Sequence, residues 1–529
     1  MITISSMSQW FQNNKKLLCY TILVTFCIGM FAHGFAFSNI NFSHDSLVEF
    51  HSELHGNDIK MGFGRVLTPI YRDLLGSDVT LPWLTGTLAL LWIGLAVFLI
   101  SRIFQVDSYI TIFLISGICA TNISVSAITA TYIHDLDSYM FSLLLSVGAV
   151  FVWNCGFLWW IVGACLIAAS LGIYQNFIFV AIALVMTRCI LDLMNENSFL
   201  TVFVNGIKAI AMILLGGILY AAMMKLMLYL DGSELLTGEY NSLHVMGDLT
   251  LANIPGMICG AYADYFYRII HAYSSYPSIM VKGFTCFLIG LGTISLALGL
   301  LNKKVRIMEK FLGMLLVLLF PLGSNMIYVL SLGNAHDLMT YPIWMFYIIV
   351  LLLSDWVFWK YAGSSIAWHG CGAVAQKVMC VLVIFALVYG NIHFSNGMYM
   401  KKALEHEAYT SLMTRVVARI ESMEDYTPGE TEVVVVGLPD NLNTIMPGFM
   451  DYWDVTGLSS PDVIYQNSKI RFQMYFDLMM GLPIKLAEDN VWYEISNRID
   501  VQEMPTYPSS GFVRFIDDVL VIKLGQIHP

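Results

Sequence analysis

Residues 81–101 read LPWLTGTLALLWIGLAVFLIS, a run without one charged side chain. As an α-helix such a run is roughly 30 Å long, the thickness of the hydrocarbon core of a bilayer. This reading decides the fold class, because the same pattern recurs along the chain. Further apolar runs lie near 17–37, 109–129, 138–154, 157–172, 174–193, 202–229, 279–301, 311–331, 343–359 and 377–394. The stretch 138–172 is either two short helices around Asn154-Cys155-Gly156 or one re-entrant pair. The 529 residues are 57% hydrophobic and 12% charged, with a mean hydropathy of +0.68. That is the composition of a polytopic membrane protein.

Lys and Arg near the span ends set the orientation. Lys15 and Lys16 precede the first run, and Arg102, Arg188, Lys303, Lys304, Arg306, Lys310, Lys360 and Lys377 flank later ones. With the N-terminus in the cytoplasm all of these fall inside. Residues 38–80, 130–137, 230–278, 332–342 and 395–529 then lie outside. The net charge of −11 reflects acidic outer segments and carries no signal for nucleic acid. The first run also has the basic lead of a signal peptide, but Ala32-His33-Gly34 is a poor cleavage site, so a retained anchor is expected. The ten cysteines include no pair with metal-ligand spacing, and the segment after residue 394 has none, so it does not rely on disulfides.

Two domains follow: a transmembrane domain over 1–394, with a first outer loop at 38–80, and an outer α+β domain over 395–529. In the second, residues 400–424 and 459–481 read as helices, the latter capped by Ser459 or Ser460 and stopped by Gly481. TEVVVVGL at 431–438 reads as a buried strand, and Phe512–Phe515 with Val519–Leu524 as a hairpin around Asp517-Asp518. In the first outer loop, Leu47, Val48, Phe50 and Leu54 recur at helical spacing, which predicts a short amphipathic helix over His44–Leu54 lying on the membrane. A second is predicted over Val66–Leu75.

Three polar clusters interrupt this apolar chain: His44-Asp45 with Glu49, His134-Asp135 with Asp137, and His336-Asp337. All fall on the expected outer side, where ionisable groups beside a bilayer are costly and mark function. Asp45, Glu49 and Glu53 share one helical face. Paired carboxylates suit glycosyl transfer, one deprotonating the incoming hydroxyl and another orienting it; a solvated helix face has the same spacing. Arg65 and Arg72 are seven apart and fall on one helical face. Arg grips phosphate through its forked donors, although a snorkelling side chain would look alike. Asp137 or Ser138 could cap the next helix, which leaves His134 and Asp135 to be explained. Tyr174-Gln175-Asn176 and Asn334-Ala335-His336-Asp337 can bind sugar hydroxyls or satisfy broken helices. The aromatic group Tyr262, Tyr265, Tyr267, Tyr273 and Tyr276 fits sugar stacking or an interfacial belt. His51 and His55 lack the order of a zinc motif. Asn41-Phe42-Ser43 is a formal glycosylation sequon without further support.

Phe42-Ser43-His44-Asp45-Ser46-Leu47, Gly64-Arg65, Ser170-Leu-Gly172-Ile-Tyr174-Gln175 and Met504-Pro505-Thr-Tyr507-Pro508 resemble the type-specific membrane glucosyltransferases of bacterial O-antigen serotype conversion. The resemblance implies a GT-C-like architecture and an inverting hexosyltransferase. Its donor would be undecaprenyl-phosphate-glucose and its acceptor a lipopolysaccharide O-antigen sugar. The active site and C-terminal domain would face the periplasm from the inner membrane, with no metal or other cofactor. It implies catalytic roles for Asp45, the candidate base, and for Glu49, Asp135 and Asp137. His44, Arg65, Arg72, His134, Tyr174, Gln175, His336 and Asp337 would bind substrate, with Arg65 on the donor phosphate. A lipid-linked glycan flippase or transporter, or an O-antigen polymerase, is the competing expectation. A transporter predicts ionisable residues at mid-bilayer, whereas here they gather at the outer ends.

Overall fold

The computed structural model describes residues 4–40, 43, 46–47, 49–50, 57–75, 79–237, 250, 252–302, 304–363, 367–437 and 469–526. The chain divides into two compact units: residues 1–38, 56–129 and 133–396, and residues 39–55, 130–132 and 397–529.

The first unit is a bundle of apolar helices. Among the described residues, ten helices of the chain are long and apolar enough to cross a membrane, and Phe157–Ile173 is a shorter apolar helix. The protein is a multi-pass helical membrane protein with a small C-terminal α+β part. The run that opened the sequence forms Pro82–Ile103, with Pro82 in its first turn, where the missing N–H costs nothing. Residues 138–172 resolve into two helices, Leu136–Val152 and Phe157–Ile173, separated at Gly156, whose φ of +128° suits glycine.

Two expected spans are broken, each at an asparagine. Tyr109–Thr121 gives way to Ile123–Thr131 at Asn122. The Asn122 amide donates to the carbonyls of Ile118 and Cys119, and its side-chain oxygen accepts from the Ser124 N–H. One side chain thereby ends one helix and starts the next inside an apolar bundle, which has no water to do so. Ile307–Ser324 and Met326–Leu330 meet at Asn325, whose amide donates to the Ala261 carbonyl and to Asp264. The expected outer loop 230–278 contains a helix, Ile254–Ile270. Its Tyr265 is buried and Tyr267 is exposed, so the tyrosines do not form one uniform belt.

The second unit holds a four-stranded sheet of order β2-β1-β4-β3, with β1 Glu432–Val436, β2 Lys485–Leu486, β3 Val513–Ile516 and β4 Val519–Lys523. β1 runs parallel to β2 and β4, and β3 and β4 form the antiparallel hairpin. The β-branched run at 433–436 is buried, as a central strand covered on both faces should be. Gly437 follows it with φ +71°, and a Cβ there would meet the Gly525 carbonyl oxygen at 2.1 Å. The helix expected at 459–481 is described from Lys469 on and stops at Gly481 (φ +63°); its caps lie outside the described residues. The separate helices expected at 377–394 and 400–424 are one continuous helix, Ala367–Glu421. No proline interrupts that stretch, and Gly397, which follows Asn396 between the two expected helices, is not left-handed, so the helix runs through it.

The first outer loop corrects one expectation. Leu47 does not lie on a membrane. It is fully buried in the second unit's core with Tyr409, Met413, Val416 and Phe476, and Phe50 packs against the same cluster. Of the helix expected over His44–Leu54 only residues 46, 47, 49 and 50 are among those described, and an apolar stripe fits a protein core as well as a lipid surface. Leu47→Ala is expected to destabilise this unit by about 2–5 kcal/mol, as for a buried leucine. Thermal unfolding of the purified protein in detergent checks it; an unchanged transition contradicts the burial.

Candidate active site

Within the first unit the loop and helix ends converge on Asp135. This residue closes a short 3-10 turn, Ile133–Asp135, that leads into Leu136–Val152. Its carboxylate is completely buried. Arg72, on the short helix Thr68–Leu75, donates to Asp135 Oδ1 at 2.6 Å. Lys60, at the end of Asn57–Gly62, binds Oδ2. His134 Nε2 lies 3.4 Å from Oδ2. Tyr139, one helical turn on and hence on the same face, donates its hydroxyl to Oδ2 at 3.2 Å. One carboxylate thus holds two cations, where burial makes unpaired charge expensive.

Arg65 joins through Tyr139. Its Nη1 donates to the Tyr139 hydroxyl at 2.5 Å, and its guanidinium lies over the rings of Phe63, Tyr139 and Tyr174 at 5.6, 5.4 and 5.1 Å. Tyr139 and Tyr174 stack, centroids 4.2 Å apart. The guanidinium thereby sits against three aromatic rings. Arg65 precedes the helix that carries Arg72, so the two do not share a helical face as their spacing suggested. Asp135 and Tyr139 bring them together instead.

Asp137 faces another partner. Tyr71 donates to Asp137 Oδ2 at 3.1 Å, and Trp92 Nε1 donates to the Tyr71 hydroxyl at 2.9 Å. Burial, and then the Asp137 charge, pushes the Tyr71 phenol above its ordinary pKa, so it stays a donor. Neither Asp137 nor Ser138 is the N-cap; that position is Asp135, which makes no side-chain cap bond because its oxygens are taken. Asp137 instead accepts from the Ser138 N–H within the first turn.

The loop that carries the basic residues is pinned from below. The Leu67 N–H donates to the Gly172 carbonyl, and Thr68 Oγ1 to that of Ile173. Gln175 donates to the Phe63 carbonyl and to the Tyr220 hydroxyl, which in turn donates to the Gly64 carbonyl. Gln175 therefore positions the Gly64-Arg65 turn, and Tyr174 supplies a face for Arg65.

A second cluster in this unit gathers around Arg268. Its Nε lies 2.9 Å from both Asp264 oxygens, its Nη1 donates to Asp337 Oδ1 at 2.8 Å, and its Nη2 to the Ala335 carbonyl. Burial works against the Arg268 charge, but Asp264 and then Asp337 outweigh it and hold the pKa up. Burial lowers the pKa of the half-buried His336, against the pull of Asp337. Asp337 is thus tied to the helix Ile254–Ile270.

In the second unit Glu49 is buried; His44 and Asp45 lie outside the described residues. The flanks of their motif are anchored. Ser43 Oγ donates to the Thr131 carbonyl at 2.7 Å, and the Ser43 N–H to Ser46 Oγ at 2.7 Å. Lys402 Nζ donates to the neighbouring Ala130 carbonyl at 2.6 Å.

Sequence reasoning missed Lys60, Tyr71, Trp92, Tyr139, Arg268 and Lys402. Lys60 had one signal, a basic residue ahead of Gly64-Arg65 in a loop that already held two arginines. Arg268 stood beside Asp264 at i,i+4 spacing in a segment whose mixed aromatic and polar character reads as interfacial. Nothing local marked Tyr71, Trp92 or Tyr139 as more than apolar core.

A family model described as Glucosyl transferase GtrII matches residues 34–353, more than half of the chain and the whole of both first-unit clusters. No curated protein and no solved structure matches the chain.

Proposed function

From its membership of the GtrII glucosyl transferase family, to which this chain belongs, we propose that it transfers glucose from undecaprenyl-phosphate-glucose to a sugar of a lipopolysaccharide O-antigen, at the periplasmic face of the inner membrane. The family match supports glucosyl transfer as the class of reaction. One observation favours a phosphate-bearing donor: Lys60, Arg65 and Arg72 gather in the first cluster around Asp135 and Tyr139. The phosphodiester of such a donor brings one negative charge. Arg and Lys are the natural holders of that group.

In the proposed step the acceptor hydroxyl oxygen bonds to C1 of glucose as the bond from C1 to the phosphate oxygen breaks. The hydroxyl proton passes to a carboxylate, and the lipid phosphate departs with one more negative charge. The cations stabilise the charge developing on it. A single displacement of this kind inverts C1. Asp45 is the proposed proton acceptor, on the resemblance of its motif. Asp135 is a positioning residue, since both of its oxygens are engaged by cations and it holds Lys60 and Arg72 in place.

Lys60→Met tests the phosphate role. With labelled undecaprenyl-phosphate-glucose and O-antigen acceptor in membranes, kcat/KM for the donor is expected to fall about 10–100-fold, the worth of one hydrogen bond to a charged group. A normal kcat/KM removes Lys60 from donor binding. Failure of the parent protein to use this donor at all overturns the reading.

A further inference from the structure

A cleft of about 830 Å³ in the first unit shares no residue with either cluster described above. Its walls come from the segments following Pro82–Ile103 and from the C-terminal ends of Ile178–Met194 and Met345–Tyr361. These helix ends carry the basic residues Arg102, Arg188 and Lys360, and with them two tryptophans, Trp356 and Trp359. Basic residues and Trp together mark the membrane–water boundary.

The charge pattern of the wall selects a ligand. Two cations line it, Arg188 and Lys360, with four carboxylates, Asp107, Asp192, Glu196 and Asp355. Arg188 Nε lies 3.1 Å from Asp192, and Lys360 Nζ lies 3.8 Å from Glu196. Behind the wall, Arg102 sits 2.8 Å from Asp107, and Lys377 with Thr111 holds Asp355. The wall is therefore close to neutral and displays both signs. A polyanion such as a nucleoside diphosphate would meet four carboxylates, and a simple anion would find each cation already leaning on an acid. A head group that carries a phosphate and a primary ammonium matches both signs at once. Its phosphate accepts from Lys360 and Arg188, and its ammonium donates to Glu196. Lys360 is held 4.3 Å above the Trp356 ring, and Trp359, 77% exposed, offers an apolar face to the glycerol and upper acyl chain.

Two residues of this cleft, Gln105 (φ 56°) and Glu196 (φ 68°), are left-handed. Each closes the helix before it, with the Val106 N–H donating to the Ser101 carbonyl and the Asn197 N–H to the Asp192 carbonyl, so the helix ends that wall the cleft are firmly terminated.

We propose that this cleft is a resident binding site for the head group of an aminophospholipid. It is independent of the transfer reaction. The test uses the full-length protein in nanodiscs of equal phosphatidylethanolamine, phosphatidylcholine and phosphatidylglycerol, followed by native mass spectrometry of the lipids it retains. Phosphatidylethanolamine is expected to be favoured over phosphatidylcholine by about tenfold, the scale of one hydrogen bond to a charged group. Phosphatidylcholine has the same phosphate and the same charges, but its quaternary ammonium donates no hydrogen bond. Glu196→Gln, at an exposed position, is expected to bring that ratio near one. Lys360→Met should lower retention of both zwitterionic lipids. Equal retention of the two in the parent protein, a preference for phosphatidylglycerol, or a phosphatidylethanolamine preference that survives Glu196→Gln overturns the proposal.

Discussion

Asp135→Ala is expected to destabilise the first unit by about 3–5 kcal/mol, the cost of breaking a buried ion pair from one side, and to abolish glucosyl transfer. The carboxylate is wholly buried, and Lys60 and Arg72 both end on it. Removing it leaves two cations beside each other with their shared counter-charge gone, and takes the acceptor from the Tyr139 hydroxyl as well. Asp135→Asn keeps the shape but not the charge, so it should recover part of the stability and little of the transfer. Thermal unfolding in detergent, read beside transfer in membranes, checks both. The double variant Asp135→Ala with Arg72→Met should be less destabilised than the sum of its parts, with a coupling of about 0.5–3 kcal/mol. Additive losses, or a stable and active Asp135→Ala protein, would show that the buried carboxylate organises nothing.

The second large effect is expected at Asp45. Asp45→Asn should lower kcat by about 10²–10⁴-fold, the usual contribution of a general base. Stability and the donor KM should stay near the parent's, because amide and carboxylate have the same shape. This pattern is opposite to that of Asp135→Ala, where stability falls with activity, so the two roles separate in one set of assays. A transfer rate close to the parent's takes Asp45 out of the chemistry. Glu49→Gln is the informative companion, since Glu49 is the buried acid of the same motif. If it alone produces the large loss of kcat, the proton acceptor is Glu49.

How far the site could be read from sequence depends on the reach of each signal. His134, Asp135 and Asp137 stood out because charge is rare in so apolar a chain. Arg65 and Arg72 stood out for the same reason. Their grouping did not, because Arg72 meets Asp135 across 63 positions of sequence, and no periodicity reports a contact of that range. Helical spacing in fact suggested a different link between the two arginines. Tyr139 and Tyr71 were invisible because an aromatic in a membrane helix looks the same whether its hydroxyl is engaged or not.

Hydropathy by itself determined that this is a multi-pass helical membrane protein, since a bilayer admits few backbone solutions and each span is a local property. Local chemistry also fixed the strand at 432–436, the hairpin around Asp517 and the stop at Gly481. Only the tertiary structure decided that Leu47 belongs to a protein core, that Gln175 braces the Gly64-Arg65 turn, and that Asp135 is the shared counter-charge of Lys60 and Arg72. Those outcomes depend on which distant surfaces meet, and burial energies are set by that meeting rather than by any residue's neighbours in the chain.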